Sequence, residues 1–122
     1  MKILFFDEFK LGVLKNDFVV DVSDVVRDIP HTDPHNLISR LIERFSDYRG
    51  ALEQAAAAGK ETALGGVRIR PPLPRPVNID CMAVNYMEDG TRKEPAPINA
   101  FHKSPGCVIG DGDTMVLPDV PA

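Results

Sequence analysis

The sequence predicts an α+β fold built from two parts. Three short apolar runs near the amino terminus, separated by polar turn residues, have the spacing of an antiparallel meander. Two stretches with helical periodicity follow, and a second set of short apolar runs begins after a proline-rich segment. We therefore expect residues 1–70 to form a small α+β domain, 71–78 a connector, and 79–122 the beginning of a second domain.

The composition argues against several classes of function. Of 122 residues, 43% are hydrophobic and 26% are charged, which is typical of a globular protein rather than a disordered one. A net charge of −4 argues against a nucleic-acid partner, and there is no basic amphipathic face for a membrane surface. No apolar run reaches the roughly 20 residues that span a bilayer. We expect a protein that binds neither nucleic acid nor membrane.

The amino terminus and the cysteines indicate a cytoplasmic location. The apolar start is interrupted at once by Asp7 and Glu8, and no small-residue cleavage site follows, so it does not resemble a signal peptide. Cys81 and Cys107 lie in apolar runs without a second soft ligand nearby. We interpret them as small apolar residues in a reducing compartment rather than as a metal pair.

The first domain is expected to begin with strands. The three apolar runs cover Lys2–Phe6, Leu11–Leu14 and Phe18–Val22. The pair Asn16-Asp17 supplies a turn between the second and third runs. Ser23 is a candidate cap for a short helical turn that follows them.

Two helices are expected next. Asp33 can accept from free backbone amides and Pro34 suits the first helical position, so a helix begins there. Its apolar stripe consists of Leu37, Ile38, Leu41, Ile42 and Phe45. Ser46 or Asp47 is a candidate cap for a second helix, which Gly59 would end.

The junction has two interpretations. Val67–Arg70 alternates apolar and basic residues, as an edge strand does, and four prolines follow in Pro71–Pro76. Pro71 and Pro74 would suit a docking ligand for an aromatic groove. The change in composition at this point favours a rigid connector instead.

Chemically active residues gather in the second part of the chain. The apolar run Ile79–Val84 leads into a loop with five charges in seven residues, which is either a solvated loop or one wall of a site. Phe101–Lys103 follows as a second strand, on which Lys103 and His102 should face opposite ways. The Gly110–Asp113 segment lacks the residues of a phosphate loop or a calcium loop. We expect it to be a tight turn between strands 107–109 and 114–117.

These residues resemble a known family. The matching features are the strand ending in Asn85-Tyr86, the Phe-x-Lys of Phe101–Lys103, and the turn Gly110–Asp113 leading to Val116-Leu117-Pro118. Together they resemble the opening of the catalytic domain of the fumarylacetoacetate hydrolase family, over residues 74–118. The resemblance implies that 79–122 supplies the first strands of a mixed β-sheet catalytic domain that is truncated at residue 122.

The resemblance also implies a function. Family members are divalent-metal enzymes, using Mg²⁺ or Mn²⁺, that act on oxo-acids with a second carbonyl group. Their reactions are C–C hydrolysis, decarboxylation, isomerisation and hydration, including steps in the catabolism of aromatic compounds. The family's metal carboxylates fall after residue 122, so we expect no metal ligand within this chain and no activity from the chain alone. We expect the full-length enzyme to be a homodimer.

The same resemblance implies roles for individual residues. Lys103 would direct its ammonium at an enolate oxygen, and Asn85 and Tyr86 would bind the substrate. The histidine of the family's His–Glu general base falls at Asp89, and the glutamate falls at Arg92. Asp89 and its neighbour Glu88 are therefore the candidate catalytic carboxylates.

A different class of function fits the same sequence. A small non-catalytic domain could bind a partner protein through exposed sheet edges, since an incomplete sheet leaves unpaired backbone groups at its margins. The enzyme and the interaction domain both stay open at the level of sequence.

Overall fold

The computed structural model describes residues 1–83, 94 and 97–120. The chain divides into two compact units, the first comprising Met1–Pro74 with Ile109–Ala122 and the second Arg75–Val108. The predicted division into 1–70, 71–78 and 79–122 stays a prediction. The α+β class is confirmed, because the first unit combines an antiparallel sheet with α-helices.

The sheet of the first unit is antiparallel throughout. Its five described strands are β1 Lys2–Phe6, β2 Lys10–Lys15, β3 Phe18–Asp21, β4 Glu61–Ala63 and β5 Ile69–Arg70, in the spatial order β4-β3-β2-β1-β5. The first three coincide with the predicted meander, and β5 lies at the edge as predicted. β4 was not predicted, because its three exposed residues carry no strand pattern of their own.

Tight turns join the strands of the meander. Asn16 has φ of 53°, in the left-handed region that asparagine tolerates, which confirms the predicted turn between β2 and β3. The turn between β1 and β2 contains Asp7 and Phe9, with φ of 47° and 61°. The Phe9 ring lies edge-on to Phe5, with 5.9 Å between the ring centres.

Helix α1 spans Pro34–Glu43 and begins as predicted. The Asp33 carboxylate accepts a hydrogen bond of 2.9 Å from the amide of Asn36, which satisfies one of the free donors of the first turn. Helix α2 spans Phe45–Ala58 and follows after a single residue, Arg44. Gly59 ends α2 as predicted.

Two cap predictions were wrong, that of Ser46 or Asp47 for α2 and that of Ser23 for the short helical turn. Ser46 and Asp47 lie inside the first turn of α2, because α1 and α2 are joined by one residue and no separate linker is left to supply a cap. Asp47 instead accepts from the guanidinium of Arg44 at 3.3 Å. Ser23 is the first residue of a 3₁₀-helix, Ser23–Val26, and its hydroxyl accepts from the amide of Leu11 at 3.0 Å.

The core of the first unit lies between the sheet and the two helices. Its most completely buried side chains are Phe5, Leu11, Ile29, Leu41, Leu52, Val20 and Val22. The predicted apolar stripe of α1 is buried at Leu37, Ile38 and Leu41, but Ile42 is 60% exposed. Ile42 lies one residue before the end of α1, at the margin of the stripe, so its inclusion in the core was wrong.

One tyrosine of this core also makes a hydrogen bond. Tyr48 is 7% exposed, and its hydroxyl donates a hydrogen bond of 2.7 Å to the Asp28 carboxylate. That bond favours the neutral phenol and raises the pKa of Tyr48 above its ordinary value.

Among the described helices, none has the length and apolar character that a bilayer crossing requires.

The predicted turn at Gly110–Asp113 is present in the first unit. The amide of Asp113 donates to the carbonyl of Gly110 at 3.2 Å, and Gly112 has φ of 76°. The predicted strands at 107–109 and 114–117 are absent: Pro105–Cys107 is a 3₁₀-turn, and the described residues offer 114–117 no strand to pair with. Without a neighbouring strand, β-preferring residues cannot form a ladder.

Adjacent residues on α1 provide a matched test of this core. Leu41 is fully buried whereas Ile42 is 60% exposed. Leu41→Ala should lower the free energy of unfolding by about 2–5 kcal/mol through lost burial and the cavity it leaves. Ile42→Ala should change it by no more than about 0.5 kcal/mol. Urea denaturation followed by circular dichroism measures both, and equal losses would show that α1 is rotated from the orientation described.

Candidate active site

The candidate site residues that the structure describes lie on a hairpin in the second unit. Strands β6, Ile79–Ala83, and β7, Asn99–Lys103, pair antiparallel. The register places Ile79 opposite Lys103 and Cys81 opposite Phe101. β6 coincides with the predicted run Ile79–Val84 up to Ala83, since residue 84 lies outside the described residues, and β7 begins at Asn99, two residues before the predicted Phe101–Lys103.

The hairpin has two different faces, because side chains alternate along each strand. One face, here called the Lys103 face, carries the half-buried residues of β6 together with three exposed residues of β7. Its members are Ile79, Cys81, Ala83, Asn99, Phe101 and Lys103. The opposite face carries the exposed residues Asp80, Met82, Ala100 and His102. Lys103 and His102 therefore face opposite ways, as strand alternation predicts.

His102 has a partner on its own face. Its Nε2 lies 2.8 Å from Oδ1 of Asp80, directly across the hairpin. The two side chains are 81% and 62% exposed, so this is a surface cross-strand pair. Sequence patterns do not single out Asp80, since the pairing depends on the strand register and no local signal fixes it.

Lys103 differs in its surroundings. It is the last residue of β7, and the neighbouring side chains on its face are apolar. Within the described part of the chain, no carboxylate forms an ion pair with its ammonium. Lys103 itself is exposed, so its ammonium, which has no ion-pair partner among these residues, is accessible to an anionic group of a ligand.

The other predicted site residues cannot be placed. Asn85, Tyr86, Glu88 and Asp89 lie in residues 84–93, outside the described residues. Lys103 stands opposite the first residue of β6, so four residue steps, or about 13 Å, separate its backbone from the end of β6 at Ala83. The hairpin alone therefore fixes the position of Lys103 and of none of the other four.

The described residues do not form a metal centre. No group of three or more histidine, cysteine, aspartate or glutamate side chains comes together in residues 1–83, 94 and 97–120. Divalent cations such as Mg²⁺ and Mn²⁺ require several oxygen or nitrogen ligands converging on one point. These residues therefore do not fit a resident divalent ion.

Comparison with known proteins supplies a relative. No family model matches the chain, and the search of curated proteins found no match either. Among solved structures, maleylpyruvate hydrolase from Sphingobium sp. SYK-6, in complex with manganese(II) ion and pyruvate, is 31% identical with a TM-score of 0.81. A second crystal structure of maleylpyruvate hydrolase from the same source is 30% identical with a TM-score of 0.79.

The extent of the match is unequal between the two proteins. The alignments cover 99% of this chain but 44% and 43% of the hydrolase chains. The chain thus spans less than half the length of the proteins it matches. Maleylpyruvate hydrolase is a fumarylacetoacetate hydrolase-family enzyme, and the similarity in sequence and fold extends over nearly all of this chain. The family predicted from the motifs is thus the family of the solved structures that this chain resembles in sequence and fold over 99% of its own length.

Proposed function

We propose that this chain supplies the amino-terminal part of a divalent-metal-dependent hydrolase that cleaves a C–C bond in an oxo-acid carrying a second carbonyl group. The similarity to a maleylpyruvate hydrolase that binds manganese(II) and pyruvate supports a hydrolase-type function. It also favours Mn²⁺ over Mg²⁺ as the metal and a small oxo-acid as the ligand. Decarboxylation, isomerisation and hydration have no comparable support, so we place them second.

The orientation of Lys103 is the observation that carries the proposal. Its side chain lies on the same face as the half-buried residues of β6 but is itself exposed, and no described carboxylate forms an ion pair with it. Cleavage next to a carbonyl group builds negative charge on an enolate oxygen. A fixed ammonium stabilises that charge more than water does, because it needs no reorganisation as the charge develops. We assign Lys103 this role.

The residues that follow β6 complete the proposal. Asn85 and Tyr86 would donate hydrogen bonds to the substrate's oxygens, and Asp89 or Glu88 would orient or deprotonate the attacking water. Asp89 stands where the family has a histidine, so the general base here would be a carboxylate. A carboxylate is ionised at neutral pH and can accept a proton from a water within hydrogen-bond reach.

The metal ligands are proposed to lie outside this chain. Its described residues do not fit such a site, so we assign no step to a metal held by this chain. When bound by the complete enzyme, the metal would act as a Lewis acid on the keto-acid end of the substrate. The chain alone would then be inactive, and the complete enzyme would be a cytoplasmic homodimer.

A pair of neighbouring variants tests the role of Lys103. A chimera in which this chain replaces the matching part of the Sphingobium maleylpyruvate hydrolase provides a measurable activity. Lys103→Met keeps the length and apolar stem of the side chain but removes the charge. We expect it to lower kcat by a factor of about 10² to 10³ with a smaller effect on KM, because the interaction forms mainly in the transition state.

His102→Gln is the matched control, since His102 lies on the opposite face and pairs with Asp80. It should leave kcat within a few-fold of the unmodified chimera. Circular dichroism of each variant checks that the fold is unchanged. Near-normal turnover in Lys103→Met together with loss of activity in His102→Gln would contradict the proposal and assign the substrate to the other face.

The rival function, a non-catalytic interaction domain, is favoured by one observation. Large apolar side chains are exposed in each unit: Met115, Val116, Leu117 and Val120 in the first, and Ile98 in the second. Exposed apolar side chains that lie close together are typical of a surface that another protein covers. They are equally typical of a sheet that is missing its neighbouring strands.

The solution behaviour of the isolated chain separates the two functions. If the chain is part of a larger enzyme, the two-stranded β6–β7 sheet is too small to be stable alone, and we expect self-association in sedimentation velocity. Ile98→Lys should reduce that association, whereas Ile42→Lys, an exposed change on α1, should not. A sharp monomer boundary with one cooperative melt would favour the independent interaction domain.

A further inference from the structure

Both ends of the segment 75–108 attach to the same strand of the first unit. The chain leaves through β5, whose residues Ile69 and Arg70 pair with Phe6 and Phe5 of β1. It returns at Gly110, which packs on the backbone of β5. A Cβ at Gly110 would lie 3.2 Å from Cα of Arg70 and closer still to the carbonyl oxygen of Ile69. Only glycine therefore permits this approach without a shift of the backbone.

An ion pair holds the two ends together. Oδ1 of Asp113 accepts from both Nε and Nη2 of Arg68, at 2.9 Å and 2.6 Å. Oδ2 of Asp113 accepts from the amide of Gly110 at 2.9 Å. The Asp113 side chain is 17% exposed, compared with 57% for Arg68. Both carboxylate oxygens of Asp113 therefore accept hydrogen bonds, one from Arg68 beside β5 and the other from Gly110 in the turn.

Arg68 is itself held in place by the end of β1. Its amide donates to the carboxylate of Asp7 at 3.0 Å, and its carbonyl oxygen accepts from the amide of Asp7 at 2.8 Å. The guanidinium of Arg70 also hydrogen-bonds the Asp7 carbonyl. The Gly110 amide and then Arg68 hold the pKa of Asp113 below its ordinary value, so the carboxylate is charged at neutral pH.

We propose that Arg68 and Asp113 form a clasp that fixes the turn 110–113 to the edge strand β5, at the base of the segment 75–108. The clasp would act as a conformational device. When the ion pair is formed, it fixes the point at which the chain re-enters the first unit. When the ion pair is broken, residues 109–120 are released. It acts on the backbone at the base of the segment and does not depend on the role proposed for Lys103.

The clasp should open without unfolding the first unit. None of its side chains belongs to the buried core, which lies between the sheet and the helices. An exposed ion pair usually contributes little to global stability. Its effect is expected on local opening, since amides at the edge of a fold exchange through small fluctuations rather than through complete unfolding.

Native-state hydrogen exchange of the whole chain tests the clasp. Asp113→Asn removes the charge but keeps the size of the side chain, and Arg68→Gln removes the other partner. We expect either change to speed exchange at the amides of Gly110 and Asp113 by about tenfold, as the loss of one charged hydrogen bond implies. The double variant should exchange no faster than either single variant, because the two side chains act as a unit.

Asp24→Asn is the matched control. Asp24 and Arg27 form an ion pair of 2.8 Å in the same unit, but both belong to one short 3₁₀-helix region and close no segment. This variant should leave exchange at Gly110 and Asp113 unchanged. The clasp is overturned if Asp113→Asn leaves these amides as protected as the control does, if the effects of the two substitutions simply add, or if Asp113→Asn unfolds the helices.

Discussion

The burial of one face of the five-stranded sheet by α1 and α2 is the interaction on which the rest of the first unit depends. Val20 on β3, Leu41 on α1 and Leu52 on α2 are each completely buried. Side chains of this size gain about 1.5–3 kcal/mol each from burial, more than any exposed ion pair in this structure can provide. The sheet would otherwise present its apolar residues to water, and the two helices would lack a surface on which to pack.

The packing of the helices on the sheet also depends on residues at the ends of these elements. A Cβ at Gly59 would clash with the side chain of Val20, so α2 can end close to β3 only because this residue is glycine. The chain then enters β4, which pairs with β3 and closes that edge of the sheet. At the other edge, β5 pairs with β1 and provides the surface on which Gly110 packs. Residues 109–113 thus join the first unit at its edge strand, β5.

The predictable parts of the fold were those with local causes. Asp33 and Pro34 mark the start of α1 because capping and a fixed φ are properties of the residues themselves. The wrong or missing predictions have long-range causes. β4 exists only because β3 offers a partner, Ser46 loses its capping role because two helices meet at Arg44, and the stretch 114–117 stays outside any strand because no described strand adjoins it.

The site was predictable to the same degree. The opposite orientations of Lys103 and His102 follow from strand alternation, which needs no knowledge of the partner strand. The pairing of His102 with Asp80 and that of Arg68 with Asp113 depend on register and on chain return, which no local pattern encodes. The roles of Asn85, Tyr86, Glu88 and Asp89 stay predictions, since those residues lie outside the described part of the chain.

We propose that this chain is one part of a larger metal-dependent hydrolase. It matches 99% of its own length to 44% of a maleylpyruvate hydrolase solved in complex with manganese(II) ion and pyruvate. The most direct measurement is the nucleotide sequence of the genomic DNA downstream of codon 122. We predict an open reading frame that supplies two glutamates and an aspartate as the metal ligands. A stop codon immediately after Ala122 would contradict the claim and leave the interaction domain as the better account.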